Sequence, residues 1–387
     1  MFTQSQELPL FTFSAPDYKP RRPEYFDVQQ IVVTSGRGTS DTRRMIEQIS
    51  SLYPDAPIIE RPDCAHNQSE AFTLERYDMQ TLHNIGKNTL LFGTHQSSIR
   101  HSEEQENTCP NYWHFSLYGF CPYGCSYCYL AGTTSVRFAP AVKIFTNINQ
   151  ILDSIHRKAV AFSTPESFYH GKLQDGLALD PLTGYSLQTV PFFAKEKQAR
   201  QVILTKSADV DNLLGLEHNG HTALSWTLNL PEVQQSLEVN TPSIDSRIIA
   251  IRRCSEAGYP VRVVLMPLVP VENWLDKYVL FLSNLLQSIS IQRLTIGSIC
   301  SFPTAIALMN RKLGTDNIIS NNLSSRSKTE TDGRNRYPFE MRKKAYELLI
   351  TQARKIQPEL EIGICLESRQ MLNELTSFNP GKCNCLW

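Results

Sequence analysis

Cys121-Pro122-Tyr123-Gly124-Cys125-Ser126-Tyr127-Cys128 sets three thiols at C-x3-C-x2-C spacing on one short stretch. It follows directly on a strand-like run at 113–118. Pro122 and Gly124 supply the fixed and the permissive backbone that let so short a loop bend around a bound group. Three thiolates can each hold one iron of a [4Fe-4S] cube and leave the fourth iron to a small molecule, whereas structural zinc sites and fully protein-held clusters recruit four protein ligands. The plainer readings are a zinc knuckle completed by a distant His or Cys, and three ordinary core thiols.

Outward from that loop, short β-branched or aromatic runs alternate with helical stretches, the pattern of parallel strands joined by helical crossovers. Strands are expected at 113–118, 166–169, 201–206, 223–229, 261–266 and 294–299, and helices at 144–157, 243–256 and 274–288. Six such strands predict an α/β fold built as a partial (βα)6 barrel, with a doubly wound sheet as the competing architecture; both put the site at the strands' C-terminal ends. A Pro-rich arm over 1–25 leads into a small βαβ unit with strands at 31–34 and 56–59 and a helix at 42–51, followed by a strand at 89–92. The polar, aperiodic stretch 316–336 reads as a lid or an unstructured loop. A helix at 338–355, a strand at 361–367 and a tail follow. The expected division is 1–105, the arm and small βαβ region; 106–315, the barrel; and 316–387, a C-terminal extension of long loop, helix, strand and cysteine-bearing tail.

The 387 residues carry 38 Lys+Arg against 38 Asp+Glu, 41% hydrophobic residues and 10 Cys. This composition can build a sizeable core and excludes general disorder. Zero net charge argues against a protein that coats nucleic acid through electrostatics. No apolar run approaches the ~18 residues of a membrane span. Residues 1–20 lack a basic segment followed by an apolar core, so the expectation is a cytoplasmic protein without a membrane partner. Ten cysteines in that setting fit reduced thiols, metal ligation or catalysis better than a disulfide framework.

The triplet, with an aromatic residue before its last cysteine, resembles the signature of radical S-adenosylmethionine (SAM) enzymes. Its surroundings are similar to the spore photoproduct lyase family, from Gly124-Cys125-Ser126-Tyr127-Cys128-Tyr129-Leu130 through Val142-Lys143-Ile144-Phe145-Thr146-Asn147-Ile148 to Leu204-Thr205-Lys206-Ser207-Ala208-Asp209-Val210-Asp211. His218-Asn219-Gly220, Ser225-Trp226-Thr227-Leu228-Asn229, Arg247 and Ala257-Gly258-Tyr259-Pro260 continue the likeness. The resemblance implies a radical SAM barrel in which Cys121, Cys125 and Cys128 hold a [4Fe-4S] cluster. It implies SAM as the second cofactor, cleaved reductively to a 5′-deoxyadenosyl radical that abstracts hydrogen from the substrate. It further implies that Lys206 holds the SAM carboxylate, that Thr227 contacts SAM, and that Tyr127 and Tyr129 border the radical path. Taken singly, these residues also read as a surface lysine, a strand threonine and packed aromatics. A reductase, flavodoxin or ferredoxin is implied as electron donor.

The likeness breaks at one functional position. The repair lyase quenches its product radical with a cysteine in a stretch resembling F-E-A-x-C-T-S-D, where this chain has Phe168-Tyr169-His170-Gly171-Lys172-Leu173-Gln174-Asp175. An ammonium N–H is no useful hydrogen-atom donor, so Lys172 is expected to bind a substrate anion, to replace an acidic SAM contact, or to be a solvated loop lysine. The sequence therefore favours radical chemistry on an unidentified substrate. Repair of thymine photoproducts in damaged DNA is the alternative, and a non-catalytic zinc or iron–sulfur protein the third reading. Cys383-Asn384-Cys385 and Cys365 form a second thiol group, suited to a soft metal, an auxiliary cluster, hydrogen donation or thiol exchange, or else incidental in a flexible tail. Cys300 is another candidate donor; Cys64, Cys109 and Cys254 receive no role. His114 and His170 read as packed histidines, Arg326, Lys328, Arg334 and Arg336 as a solvated loop, and Gly36-Arg37-Gly38 as too short to bind a nucleotide.

Overall fold

The computed structural model describes residues 18–34, 39–68, 77–103, 108–133, 140–172, 174–314, 318–324, 332–375 and 378–387. In chain order the strands are β1 (Gln30–Thr34), β2 (Ile58–Arg61), β3 (Thr89–Gly93), β4 (Ile99–Ser102), β5 (Tyr112–Phe115), β6 (Tyr118–Gly119), β7 (Gly124–Cys125), β8 (Val142–Phe145), β9 (Glu166–His170), β10 (Ala199–Thr205), β11 (Thr222–Leu228), β12 (Glu238–Val239), β13 (Val261–Leu268), β14 (Arg293–Ser298), β15 (Cys300–Ser301), β16 (Asn335–Arg336) and β17 (Glu361–Ile364).

The main sheet runs β4-β5-β9-β10-β11-β13-β14-β17. From β5 to β17 every pairing is parallel; β4 alone is antiparallel to its neighbour. The order follows the chain without reversal, as in a singly wound barrel wall, whereas a doubly wound sheet reverses at a switch point. All six expected strands are present, and β17 adds a seventh parallel one. β11 reads TALSWTL and is buried throughout, as a parallel strand covered on both faces requires. Local signals set several crossovers. Ser243 caps the helix Ile244–Glu256 by accepting from Ser246 N–H at 3.1 Å, and proline opens the helices Pro231–Leu237 and Pro303–Leu313, where its missing N–H costs nothing.

The smaller sheet is ordered β2-β1-β3-β8-β6. The expected βαβ unit is there, with β1 and β2 parallel around the helix Ser40–Ser51. β6 and β8 lie on either side of the cysteine loop in sequence and pair with each other in this sheet, β8 also with β3, so both ends of the loop are rooted in the smaller sheet. The expectation of a helix over 144–157 is corrected here. Val142–Phe145 is a strand, and the helix is Ile148–Ala159, because the alternating Val-Lys-Ile-Phe run has period 2 and pairs with β3. The stretch 316–336 is also corrected in part, since it contains a helix at Ile318–Ser324 and the strand β16. Arg334 and Arg336 are not solvated: both are buried and pair with Asp332, at 3.0 and 2.6 Å. Arg326, Lys328 and Gly36-Arg37-Gly38 lie outside the described residues.

The end of the chain enters the barrel. Cys383 and Cys385 are buried against Tyr112, Tyr169, Val202 and Ala223. Successive strand residues face opposite ways, so Arg262 and Arg293, paired in register on β13 and β14, share the face that meets the tail. Arg262 donates to the carbonyls of Asn384 at 3.0 Å and Leu386 at 2.7 Å, and Arg293 to those of Cys383 at 3.0 Å and Leu386 at 2.6 Å. Ser167 donates to Cys385 O at 2.7 Å, and Ser225 to Asn384 Oδ1 at 2.8 Å. Burial, with Arg293 adding repulsion, draws the Arg262 guanidinium down to about 9, so the tail carbonyls are needed acceptors. Deleting residues 383–387 is expected to lower unfolding free energy by about 3–5 kcal/mol, the usual cost of stripping partners from a buried charge. A denaturant midpoint unchanged by the deletion would refute this.

Candidate functional site

The cysteine loop leaves β6 through Phe120, whose φ of +60° is unusual for a residue with a side chain. Two separate segments then hold it, residues 237–239 and Lys87. β7 pairs antiparallel with β12, Cys125 opposite Glu238 and Gly124 opposite Val239. A Cβ at Gly124 would approach the Val239 carbonyl oxygen to 2.9 Å, so glycine is what allows the two backbones to meet. Ser126 N–H donates to Leu237 O at 2.8 Å. From the other side Lys87, at the end of the helix Met79–Lys87, donates to the carbonyls of Cys121, at 2.6 Å, and Tyr123.

Cys125 is buried and Cys121 and Cys128 are partly so. Burial pushes the Cys121 thiol up to about 12 against the pull of Lys87, and it raises Cys125 against the pull of Lys206. Thiols so placed ionise when a metal supplies the compensating charge. Among the described residues no three His, Cys, Asp or Glu side chains converge closely enough to hold a single ion.

Behind the loop lies a buried charge network. Glu238 has no exposed surface. Its carboxylate meets Arg247 at 2.7 Å and Lys206 at 3.9 Å, and accepts from the Tyr127 hydroxyl. Burial opposes its ionisation, but Lys206 and Arg247 outweigh that and hold it below the usual carboxylate range. Burial likewise works against the Lys206 charge, and Glu238 and Cys125 outweigh it, holding the ammonium above its ordinary value. Arg247 is fixed by donating to Pro242 O, Thr227 O and Thr241 Oγ1 at 3.0, 3.0 and 2.7 Å. Thr205 is in register with Trp226, which puts Lys206 and Thr227 one step on, beside each other at the strand ends. Asp175 pins this corner, accepting from Thr205 Oγ1 and Lys206 N–H, each at 2.6 Å.

Cys121, Cys125, Cys128, Tyr127, Lys206 and Thr227 are therefore brought together. Tyr129, in the short 3-10 turn Tyr129–Gly132, is 50% exposed beside them. Lys172 belongs to another neighbourhood: its ammonium donates to Ser102 Oγ and lies 5.1 Å from the centre of the Tyr112 ring, so it is not the solvated lysine that one reading expected. His114 and His170 are buried, as packed histidines are, and His170 stacks on Phe115 at 4.8 Å. Cys300 is buried in the β15–β16 ladder. The tail cysteines are fixed inside the barrel, which corrects the picture of a flexible tail. Sequence reasoning missed Glu238, Asp175 and Lys87 as site residues. Asp175 ends a stretch already aligned with the family; for Glu238 and Lys87 no local spacing signals an inward role.

Two outcomes test the network. Glu238→Ala leaves Arg247 and Lys206 buried without their carboxylate and is expected to cost about 3–5 kcal/mol in a denaturant titration. Because the folded Glu238 titrates below its reference value of 4.5, its contribution is complete above that pH and is lost as pH falls through the lower, folded value. The stability gap between wild type and Glu238→Gln should accordingly be constant from neutral pH to about 5 and shrink in stronger acid. A gap that instead widened on acidification would contradict the ionised assignment.

The fold and this corner have counterparts. The family model described as spore photoproduct lyase matches residues 43–340. The spore photoproduct lyase of Clostridium acetobutylicum is 28% identical over 196 residues, 50% of this chain and 56% of that protein, and the one of Bacillus subtilis is 29% identical over 160 residues, 41% and 46%. The aligned region spans about half the length of these curated relatives. Among solved structures, a spore photoproduct lyase complexed with dinucleoside spore photoproduct superposes with a TM-score of 0.74 at 19% identity, covering 88% of this chain and 99% of that one. A variant with bound AdoMet and dinucleoside spore photoproduct gives the same values. At that identity the superpositions speak for the fold, while the family model covers most of the chain: the protein belongs to the spore photoproduct lyase family.

Proposed function

We propose that this chain is a radical SAM lyase that acts on thymine photoproducts in DNA. The observation that carries the chemistry is the three-thiol loop, clamped between β12 and Lys87 with the Lys206 ammonium beside Cys125. Sequence reasoning alone ranks an unidentified substrate first; the family match reverses that order, because relatives of this fold were solved with dinucleoside spore photoproduct. Cys121, Cys125 and Cys128 would hold the [4Fe-4S] cluster. When bound, cluster and SAM together supply one electron that cleaves the sulfonium and a carbon radical that removes hydrogen from the substrate.

The chain's own residues prepare the site. Glu238 is already matched by Arg247 at 2.7 Å, and Lys206 stands farther off at 3.9 Å with 15% of its side chain exposed. Lys206 thus has charge to offer an incoming carboxylate, and Thr227 offers a hydroxyl one strand away. The Tyr127 phenol, buried and donating to Glu238, is raised well above its ordinary range and keeps its proton. Tyr129 reaches the open side of the loop. No helix among the described residues is long and apolar enough to cross a membrane; a cytoplasmic setting with a flavodoxin, ferredoxin or reductase as electron source is part of the proposal. So is the division into an N-terminal region, a barrel and a C-terminal extension near residues 105 and 315.

Lys172 favours a second reading, radical chemistry on another substrate, since it supplies no hydrogen atom where the repair lyase has a thiol. The test is anaerobic incubation of reconstituted enzyme, SAM and reductant with ultraviolet-damaged DNA. Restored thymine is expected, and Cys121→Ala should abolish it together with 5′-deoxyadenosine formation. If wild type makes 5′-deoxyadenosine but restores no thymine, while Lys172→Cys restores some, the second reading replaces the first.

A further inference from the structure

Four cysteines outside the loop meet inside the barrel. Cys109 precedes β5, Cys365 follows β17, and Cys383 and Cys385 come from the tail. The Cys383 thiol is in hydrogen-bond contact with those of Cys365 and Cys385, and Cys385 is in contact with that of Cys109. Every backbone that carries them is tied down. Thr108 N–H donates to Glu367 O at 2.9 Å, Cys365 N–H to Ile296 O at 2.9 Å, Arg293 to Cys383 O at 3.0 Å and Ser167 to Cys385 O at 2.7 Å. None of the four is in a disulfide.

We propose that Cys109, Cys365, Cys383 and Cys385 form a second metal site, independent of the cysteine loop, that takes one zinc ion. Zinc prefers four thiolates in a tetrahedron, and a Zn–S bond of about 2.3 Å sets neighbouring sulfurs about 3.8 Å apart, the range of a thiol–thiol hydrogen bond. An iron–sulfur cube separates its ligands further. As they stand the four thiols form a row rather than a closed cage, and no three of them surround a common point. Rotation about the Cα–Cβ bonds would turn the outer pair, Cys109 and Cys365, toward the ion.

Charge supports the assignment. Binding releases the four thiol protons and leaves a net charge of about −2 on zinc and four thiolates. The surrounding wall already holds two buried guanidiniums, Arg262 and Arg293, on adjacent strands. Arg262 lies within electrostatic range of Cys385, and its Nη2 is buried without a hydrogen-bond partner. An anionic thiolate cage supplies what that donor lacks. The ion would join the segment before β5, the end of β17 and the tail, the three pieces that seal this side of the barrel.

The experiment uses the full chain with Cys121, Cys125 and Cys128 all replaced by Ser, expressed with added zinc, and elemental analysis for zinc, iron and sulfide. About one zinc per chain is expected, falling at least tenfold when Cys383→Ser and Cys385→Ser are added, and cobalt in place of zinc should show tetrahedral thiolate absorption bands. Zinc that is absent, or unaffected by the tail substitutions, overturns the proposal, as does iron with sulfide bound by these four cysteines. Should the triple variant not fold, the same measurement on wild type decides between these outcomes, with zinc expected to track the tail substitutions while iron tracks Cys121→Ser. This result does not depend on the reaction proposed for the cysteine loop.

Discussion

The antiparallel contact between Gly124–Cys125 and Glu238–Val239 is the constraint on which the site depends. It brings a fully buried carboxylate to the back of a thiol-bearing loop, and a lone buried carboxylate is costly. Arg247 and Lys206 meet that cost, Tyr127 adds a hydrogen bond, and each of these partners is thereby positioned. Lys206 then stands beside Cys125 at the end of β10, with Thr227 adjacent on β11. One buried charge thus orders a lysine, an arginine, a tyrosine and the loop's own backbone.

The barrel wall is arranged to receive that contact. β5, β9, β10, β11, β13, β14 and β17 are parallel and in chain order, so their C-terminal ends lie together where the loop after β6 and the strand β12 cross. On the inner face the tail occupies the space that barrel strands must fill with side chains or with a plug. Arg262 and Arg293 make this a polar filling, matched by main-chain carbonyls, where an ordinary barrel layer would be branched aliphatics. The apolar remainder is supplied by Tyr112, Tyr169, Val202 and Ala223.

Much of this is legible in the sequence. The six strands expected after residue 112 show as β-branched runs and are present within about three residues of expectation, as boundaries usually are; the helix Trp274–Ser288 agrees at both ends. The cysteine loop declares itself because its three residues are near in sequence. What a local reading misses depends on contacts between distant positions. Glu238 is 111 residues from Tyr127, Lys87 is 34 from Cys121, and Asn384 is 159 from Ser225, so no local period marks them. Within the strand expected at 261–266 nothing local marks Arg262 as the residue that meets the tail. β8 is hidden for another reason: its four residues run almost directly into a helix, so that the stretch reads as one helical segment.

The clamped thiols are proposed to hold a redox cluster that accepts SAM. The most direct test is electron paramagnetic resonance of the anaerobically reconstituted, reduced protein with and without SAM, followed by assay for 5′-deoxyadenosine. A reduced-cluster signal that changes on adding SAM, with the nucleoside formed, is the expected result. An absent signal, or one indifferent to SAM with no nucleoside produced, would contradict the proposal.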